Sequence, residues 1–304
     1  MGYERELLTP LSGYVPGKQP TSSEVTKLNT NENPYPPTDA VMAALGAVQP
    51  EDLRRYPSPT AEAFRELAAQ VHQRRPEQLI ATNGGDELLR LAITTFVDPG
   101  RPIGYLEPSY SLYPVLASLH GSPVETLPLQ PDWALPENTA ERFNEAGVQL
   151  SFVVNPHAPS GTLLSGDTLR TLAAALDGVL VIDEAYVDFV DPALEHDLLP
   201  LIDTLDNVLL LRTLSKGYSL AGLRFGYGIG CADLIRPMME KTRDSYNMDA
   251  IAQRLGAAAL QSRQEASRSW QRIREQRTLL QQALHTLGWA CPESETNFLL
   301  PQVA

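Results

Sequence analysis

Short apolar runs alternate with amphipathic stretches along most of the chain, after a proline-rich opening segment. The apolar runs predict strands, and the stretches whose apolar residues recur at helical spacing predict helices. This alternation is typical of βα units that build a mostly parallel sheet. The predicted strands cover residues 78–82, 102–106, 124–127, 149–154, 178–183, 208–212 and 224–229. The predicted helices cover residues 61–72, 86–96, 112–120, 166–176 and 265–287.

The predicted strands from residue 149 onward are almost continuously apolar, as expected where helices cover both faces of a sheet. Proline and glycine turns follow several strand ends, and in open α/β sheets the ligand crevice lies outside the carboxyl ends of the strands. A chain of 304 residues, 43% of them hydrophobic, is long enough for one large domain and a smaller one. We therefore expect an α/β fold with its chemistry at the carboxyl edge of the sheet.

Composition and charge narrow the classes of function. The formal net charge of −13 argues against a nucleic-acid partner or an anionic membrane surface. No apolar run approaches the roughly 20 residues of a membrane span, and the N-terminus is charged where a secretory signal needs apolar residues. The two cysteines and five histidines show no metal-ligand spacing. We expect a cytoplasmic protein with no metal site and no membrane partner.

Lys216 is the strongest candidate for covalent chemistry. It stands between Ser215 and Gly217 just after the apolar run 208–211, and Arg224 follows at short range. A lysine amine can bind the aldehyde carbon of a phosphorylated cofactor, while hydroxyls and an arginine can grip its phosphate. Taken alone, a lysine after a strand is more often a solvated loop residue. Other motifs in the chain must therefore support a cofactor-binding role for Lys216.

Three other segments combine strand ends with polar or aromatic groups. Gly84 and Gly85 precede Asp86 at the start of a helix, where free N–H groups attract an anion, although a simply capped helix has the same pattern. Asp183 ends a central strand, where a carboxylate favours a cationic partner such as a protonated pyridine nitrogen, although it could also pair with an arginine or cap the following segment. Tyr110 offers a ring face for stacking, although most such tyrosines only pack.

Together these residues make the chain resemble the fold-type-I pyridoxal-phosphate aminotransferases, and most closely the histidinol-phosphate aminotransferases. The resemblance covers almost the whole chain in order and spacing. The matching segments are residues 28–34, 55–57, 83–87, 183–186, 212–216, 243–247 and 296–298.

The resemblance implies a large domain with a mostly parallel seven-stranded sheet between helices, and a smaller α/β domain. On this basis, residues 1–45 would form an N-terminal arm and part of the small domain. Residues 46–257 would form the large cofactor-binding domain, and residues 258–304 an incomplete remainder of the small domain.

The resemblance also implies a role for each matching residue. Lys216 would hold pyridoxal 5'-phosphate and later move the proton at the substrate Cα. Asp183 would keep the pyridine nitrogen protonated, Tyr186 would bind the ring oxygen, and Tyr110 would stack on the ring. The phosphate side of the cofactor site would be formed by Gly84, Gly85, Asp86, Thr213, Ser215 and Arg224.

Family members are homodimers, so the resemblance implies that Tyr56 reaches the cofactor phosphate of the neighbouring subunit. Asn31, Glu32 and Asn33 would lie on the substrate side. The implied activity is amino transfer between histidinol phosphate or glutamate as amino donor and 2-oxoglutarate or imidazole-acetol phosphate as keto acceptor, a step of histidine biosynthesis.

Two features depart from the family pattern. Ala158 occupies the place of a family asparagine that donates to the ring oxygen, and losing such a donor costs about 1.5–3 kcal/mol. We expect Tyr186 to compensate, helped by His157 or Asn155. The chain also stops after a predicted strand at 297–300, before the substrate-binding arginine of the family. We therefore expect a truncated small domain, with cofactor binding better preserved than turnover.

Three alternatives remain open at this point. A threonine-phosphate decarboxylase or a broader aromatic aminotransferase would share the cofactor site. A remnant that binds the cofactor with little turnover would share it as well. The sequence does not separate these alternatives, because the arginine region that reads the substrate has no counterpart in it.

Overall fold

Seven strands form one sheet in this computed structural model, which describes residues 3–22 and 24–303. The strands are β1 (Leu79–Asn83), β2 (Ile103–Glu107), β3 (Val124–Pro128), β4 (Leu150–Val154), β5 (Val179–Asp183), β6 (Val208–Thr213) and β7 (Phe225–Gly230). Each lies within one or two residues of a predicted strand, so the prediction of seven strands is confirmed.

Helices lie before, between and after the strands. They are α1 (Asp39–Gly46), α2 (Pro50–Arg54), α3 (Glu62–Val71), α4 (Gly84–Phe96), α5 (Leu112–His120), α6 (Thr139–Ala146), α7 (Gly166–Ala175), α8 (Leu201–Thr204), α9 (Ala232–Pro237), α10 (Ala250–Gln261) and α11 (Arg263–Thr286). The five predicted helices correspond to α3, α4, α5, α7 and α11. Within the described ranges, no helix has the length and apolar character needed to cross a membrane.

The strand order is β1-β7-β6-β5-β4-β2-β3. Strands β2 to β6 pair in parallel, whereas β7 pairs antiparallel with both β6 and β1. The reversal of β7 follows from the short connection 214–224, because a parallel crossover needs a dozen or more residues, usually including a helix. The prediction of a mostly parallel sheet is confirmed, and β4, β5 and β6 end at one common edge.

Two hydrophobic clusters cover the two faces of the sheet. Alternate residues of β5 divide between them, since Ile182 belongs to the cluster with α3, α10 and α11, and Val181 to the cluster with α4, α5 and α9. All four central apolar residues of β6 are buried. Coverage of both faces explains why the sequence shows continuous apolar runs here.

The strand predicted at 297–300 is wrong. These residues are half-buried and irregular, and the nearby pairing is a single bridge between Ala290 and Gln302. The hydroxyls of Ser294 and Thr296 donate to the carbonyl of Phe298, and Thr296 also accepts the N–H of that residue. Side-chain bonds of this kind compete with strand pairing for the backbone groups.

Candidate active site

A cavity of about 380 Å³ opens at the carboxyl edge of the sheet. The ends of β5 and β6, the loop after β2, the first turn of α4 and the N-terminal segment all contribute to its wall. It brings together ten predicted site residues: Glu32, Gly85, Asp86, Tyr110, Asp183, Tyr186, Thr213, Ser215, Lys216 and Arg224.

The amine of Lys216 lies in this cavity, in the loop that follows β6. Its Nζ donates to the carbonyl oxygens of Thr30 at 2.7 Å and Asn31 at 3.2 Å. The same atom lies 5.9 Å from the centre of the Tyr186 ring. Burial lowers the pKa of the amine, because desolvation disfavours the ammonium form. A lowered pKa makes a lysine amine a better nucleophile near neutral pH.

Asp183 ends β5 and is 6% exposed. Its Oδ2 accepts from the hydroxyl of Tyr113 at 3.1 Å, and its Oδ1 accepts from the N–H of Ala185 at 3.0 Å. Burial raises the pKa of the carboxyl to about 6. In the described part of the chain, no arginine, lysine or histidine forms an ion pair with it. A buried carboxylate at a cavity wall, without a cation of its own, suits a cationic ligand atom.

Two glycines bring the backbone close to the cavity at the N-terminus of α4. Gly84 has φ +77°, which favours glycine, and a Cβ there would lie 2.7 Å from Nη2 of Arg224. Gly84 therefore packs behind the arginine, whereas Gly85 lines the cavity. The side chain of Asn83 does not cap the helix. The helix N-terminus and the guanidinium together form a site suited to an anion.

Hydroxyls from β6 and the following loop lie on the same side of the cavity. Oγ1 of Thr213 accepts the N–H of Ser215 at 3.1 Å and lies 3.0 Å from Oγ of that serine. Arg224 forms an ion pair with Asp86 at 3.1 Å, and both side chains are about half exposed. Exposed ion pairs contribute little free energy, so an anionic ligand can compete with Asp86 for the arginine.

Two tyrosines form the aromatic part of the cavity wall. The hydroxyl of Tyr110 donates to Oδ1 of Asp86 at 3.3 Å, and its ring lies perpendicular to that of Tyr113 at a centroid distance of 5.7 Å. Tyr186 packs edge-on against Phe298 at 5.1 Å. Burial raises the pKa of both lining hydroxyls, so both remain neutral donors at physiological pH.

The N-terminal segment 30–33 closes one side of the cavity. Of its predicted residues, only Glu32 lines the cavity, and its ion pair with Lys27 at 2.6 Å lowers the pKa of the glutamate. Asn33 donates from Nδ2 to the carbonyl of Lys216 at 3.0 Å. Asn31 contributes its backbone carbonyl, and its side chain donates to Asn297 at 2.6 Å.

Tyr56 lies outside the cavity of its own chain. It is 81% exposed, and its ring stacks on Tyr246 at a centroid distance of 4.6 Å. It lines a separate depression together with Asp52 and Arg254. Within one chain, the structure does not bring this predicted residue to the other site residues.

The expected help from Asn155 or His157 at the position of Ala158 is wrong. Ala158 lines the cavity as predicted. Asn155, however, is bound to both backbone groups of Leu164, at 2.8 Å and 3.3 Å. His157 lies 2.7 Å from Oγ of Ser160 and 2.9 Å from a backbone carbonyl. Both side chains hydrogen-bond to other groups of the protein, so neither donates into the cavity.

The ion pair at the end of β5 belongs to Glu184 rather than to Asp183. Oε2 of Glu184 lies 2.8 Å from Nε of Arg212, and both side chains are buried. Nη1 of Arg212 lies 3.3 Å from Nδ1 of His72. Burial, and the nearby arginine, lower the pKa of His72 to about 2, so this histidine is neutral. Because successive residues of a strand alternate, Asp183 faces the cavity and Glu184 faces away from it.

Two contributions to the site are not among the predicted residues. Tyr113, which fixes Asp183, lies three residues after Tyr110 at the start of a predicted helix, and that spacing was a usable signal. The carbonyls of Thr30 and Asn31, which bind the amine of Lys216, gave no signal, because every residue carries a carbonyl group.

Comparison with known proteins agrees with this geometry. A family model described as aminotransferase class I and II matches residues 23–303. Histidinol-phosphate aminotransferase 1 of Trichormus variabilis is 42% identical over 299 residues, which are 98% of this chain and 83% of the relative. Histidinol-phosphate aminotransferase of Rippkaea orientalis is 40% identical over 97% of this chain and 82% of the relative.

A solved structure shows the same architecture. The crystal structure of histidinol-phosphate aminotransferase from Sinorhizobium meliloti in complex with pyridoxal-5'-phosphate is 26% identical and covers 88% of this chain and 73% of that one, with a TM-score of 0.81. The predicted fold, that of the fold-type-I aminotransferases, is therefore confirmed. With a family model that matches almost the whole chain and relatives at 40–42% identity, this chain belongs to the class I and II aminotransferases.

Proposed function

We propose that the chain transfers an amino group from histidinol phosphate to 2-oxoglutarate, and in reverse from glutamate to imidazole-acetol phosphate, as a step of histidine biosynthesis. The relatives named above carry the substrate in their names, and they match this chain over nearly its full length. Pyridoxal 5'-phosphate is the proposed cofactor, since the neighbour from Sinorhizobium meliloti was solved in complex with it.

The single observation that carries the proposal is the pairing of two buried groups at one cavity. Lys216 presents an amine with a lowered pKa, and Asp183 presents a carboxylate without a cation. A phosphorylated pyridine aldehyde would complement both groups, because its aldehyde could react with the amine and its protonated ring nitrogen could pair with the carboxylate. When bound, this cofactor supplies an electron-withdrawing ring that stabilises negative charge at the carbon bearing the amino group.

With the cofactor bound, the residues that line the cavity would have distinct roles. Lys216 would bind the aldehyde carbon and, once the substrate amine has displaced it, would move the proton from the substrate Cα to that same carbon of the cofactor. Asp183 would hold a proton on the ring nitrogen by charge pairing, and Tyr113 keeps the carboxylate in place. Tyr110 would offer its ring for stacking, and Tyr186 would donate to the ring oxygen, on the side where Ala158 has no donor.

The phosphate would lie at the N-terminus of α4. Backbone N–H groups of Gly84 and Gly85, the hydroxyls of Thr213 and Ser215, and the guanidinium of Arg224 would bind it. Asp86 would release the arginine to the phosphate.

The substrate would enter beside the N-terminal segment. Glu32 would face it there, and Lys27 keeps the Glu32 carboxylate ionised. Asn31 and Asn33, whose side chains bind Asn297 and the carbonyl of Lys216, would hold the segment in place. We further propose a cytoplasmic homodimer in which Tyr56 completes the phosphate site of the partner subunit. Its exposure and its distance from the cavity of its own chain support this assignment.

A half-reaction tests the proposed function. The protein is loaded with pyridoxal 5'-phosphate and mixed with histidinol phosphate in the absence of a keto acid, while the visible absorbance of the cofactor is followed. We expect the absorbance of the aldehyde form to disappear, and 2-oxoglutarate to restore it. Lys216→Ala should show no such conversion. Conversion by phenylalanine but not by histidinol phosphate, or release of carbon dioxide from threonine phosphate, would replace the proposal by one of its alternatives.

A further inference from the structure

The backbone around Lys216 is held from two sides. On one side, Nδ2 of Asn33 donates to the carbonyl of Lys216 at 3.0 Å and lies 3.5 Å from the carbonyl of Gly217. On the other side, the indole N–H of Trp270 donates to the same Gly217 carbonyl at 2.5 Å, in a buried contact. Two consecutive carbonyls beside the lysine are thus bound by side chains far from it in sequence.

Trp270 is itself held in place on α11. It is 5% exposed, its ring meets that of Tyr218 edge-on at 5.4 Å, and the guanidinium of Arg263 lies 4.7 Å from its ring centre. Arg263 also pairs with Asp188 at 3.2 Å and donates to the Tyr218 hydroxyl at 2.9 Å. A Cβ at Gly217 would lie 2.2 Å from the carboxylate of Asp188. Close packing and charge therefore fix the loop against α11.

A lysine side chain has four flexible carbons, so fixing its amine requires that the backbone below it be fixed as well. The amine is already bound by the N-terminal segment through the carbonyls of Thr30 and Asn31. Asn33, from the same segment, binds the lysine backbone. Without an opposing contact, movement of this segment would carry both ends of Lys216 with it.

We propose that Trp270 is a positioning residue for Lys216, which acts through the carbonyl of Gly217 to hold the lysine backbone against α11. The inference rests on the proposed function, in which the amine of Lys216 is the reacting group. Catalytic groups displaced by as little as about 1 Å can lose on the order of 10²-fold in rate. Trp270 touches no reacting atom, so its effect is on geometry alone.

The test compares Trp270→Phe with Trp289→Phe in the full-length chain. Phenylalanine keeps an apolar ring but removes the N–H donor, and Trp289 lies beyond the end of α11, so it serves as the matched control. We expect Trp270→Phe to lower kcat for histidinol phosphate by about 10-fold with KM changed less than about twofold. Trp289→Phe should leave both parameters unchanged.

A second readout needs neither cofactor nor turnover. The chain has four lysines, so acetic anhydride labelling of Lys216 can be measured by peptide mass spectrometry against exposed Lys241 as an internal reference. Burial lowers the pKa of Lys216 in the wild-type protein. A loosened loop exposes the amine, so Trp270→Phe should move the pH midpoint of Lys216 labelling upward, toward the ordinary range of lysine amines.

The outcomes separate the two claims. If wild-type protein turns over histidinol phosphate while Trp270→Phe matches it in kcat and in labelling midpoint, the positioning role is overturned and the proposed function stands. If wild-type protein turns over no amino donor, the proposed function fails, and the labelling midpoint still decides the role of Trp270. Should Trp270→Phe fail to fold, benzothienylalanine at this position keeps the shape of the indole without its N–H, and the same two results apply.

Discussion

At the scale of single residues, the buried carboxyl of Asp183 makes the stability of the cofactor-free protein depend on pH. Its pKa is raised to about 6 from an ordinary value of 3.8. Between these values the folded state binds more protons than the unfolded state, so the contribution of Asp183 is fully present below the lower value and is lost as the pH rises through about 6. Asp183→Asn should therefore gain about 2 kcal/mol of unfolding free energy relative to wild type between about pH 4 and about pH 7.

Urea unfolding of both proteins across this pH range measures that gain. Asp177→Asn is the matched control, because the side chain of Asp177 is exposed. A difference between Asp183→Asn and wild type that does not change with pH would mean that Asp183 is not a buried carboxyl without a cation.

Gly226 in β7 allows the strand and the start of α4 to pack closely, because it has no side chain. A Cβ at this position would lie 2.6 Å from the carbonyl carbon of Gly84 and 2.7 Å from the nitrogen of Gly85. Because both contacts are to backbone, Gly226→Ala should displace the first turn of α4 and weaken binding of pyridoxal 5'-phosphate by at least about 10-fold. Absorbance titration with the cofactor measures this.

Gly46→Ala is the control for this substitution, since a Cβ at Gly46 meets no atom within 4 Å. Equal cofactor dissociation constants for the two variants would show that Gly84 and Gly85, at the start of α4, take no part in binding the phosphate.

The site also shows how far single residues can be predicted. Lys216, Asp183 and the glycines before α4 were found from the sequence because each follows an apolar run that ends at the same edge of the sheet. The sequence does not show which way a side chain points within a turn. For this reason Asn155 and His157 were wrongly predicted to donate into the cavity. Each of them is bound by groups within or near its own turn, and a sequence does not distinguish such bonds from contacts to a ligand.

At the scale of elements, the buried pair of Glu184 and Arg212 joins the ends of β5 and β6. Arg212→Met would leave the buried Glu184 carboxylate without its cation, and such a loss typically costs about 3–5 kcal/mol. Chemical unfolding should show this loss for Arg212→Met. Arg142→Met, which breaks a more exposed ion pair with Glu125, should cost less than about 1 kcal/mol. Equal losses would contradict the burial of the Glu184 pair.

The strands were predicted well because their apolar runs are long enough to stand out, whereas six helices were missed for physical reasons. Helices α2, α8 and α9 are too short to show a helical period. Helix α10 is rich in alanine, which packs closely without a strong amphipathic pattern. The antiparallel direction of β7 was not predicted either, because hydrophobic periodicity carries no information on strand direction.

At the scale of the whole molecule, we propose that residues 1–45 and 258–304 act together as a unit beside the large domain of 46–257. Support comes from bonds between Thr38 and Ser262 at 2.8 Å and from the Asp39 N–H to Glu265 at 3.0 Å. Hydrogen exchange should then show that α11 and residues 30–38 gain protection together when the cofactor binds, because both contact the Lys216 loop. Protection confined to one of them would contradict a common unit.

The proposed homodimer predicts complementation between two inactive variants. Lys216→Ala lacks the reacting amine and Tyr56→Ala lacks the side chain offered to the partner. In a mixed dimer, one of the two sites combines an intact Lys216 with an intact Tyr56. Random mixing of a two-fold dimer should therefore restore about one quarter of wild-type activity. No recovery, in a sample shown by light scattering to be dimeric, would mean that Tyr56 does not act across the interface.

Borohydride trapping followed by peptide mapping tests the attachment at Lys216 most directly. Borohydride makes the bond between the cofactor carbon and the lysine nitrogen permanent, and only Lys18, Lys27 and Lys241 compete for the label. We expect the label on the peptide that contains Lys216, and none after Lys216→Ala. A label on any of the other three lysines, or no label in protein saturated with pyridoxal 5'-phosphate, would contradict the assignment of this cavity as the active site.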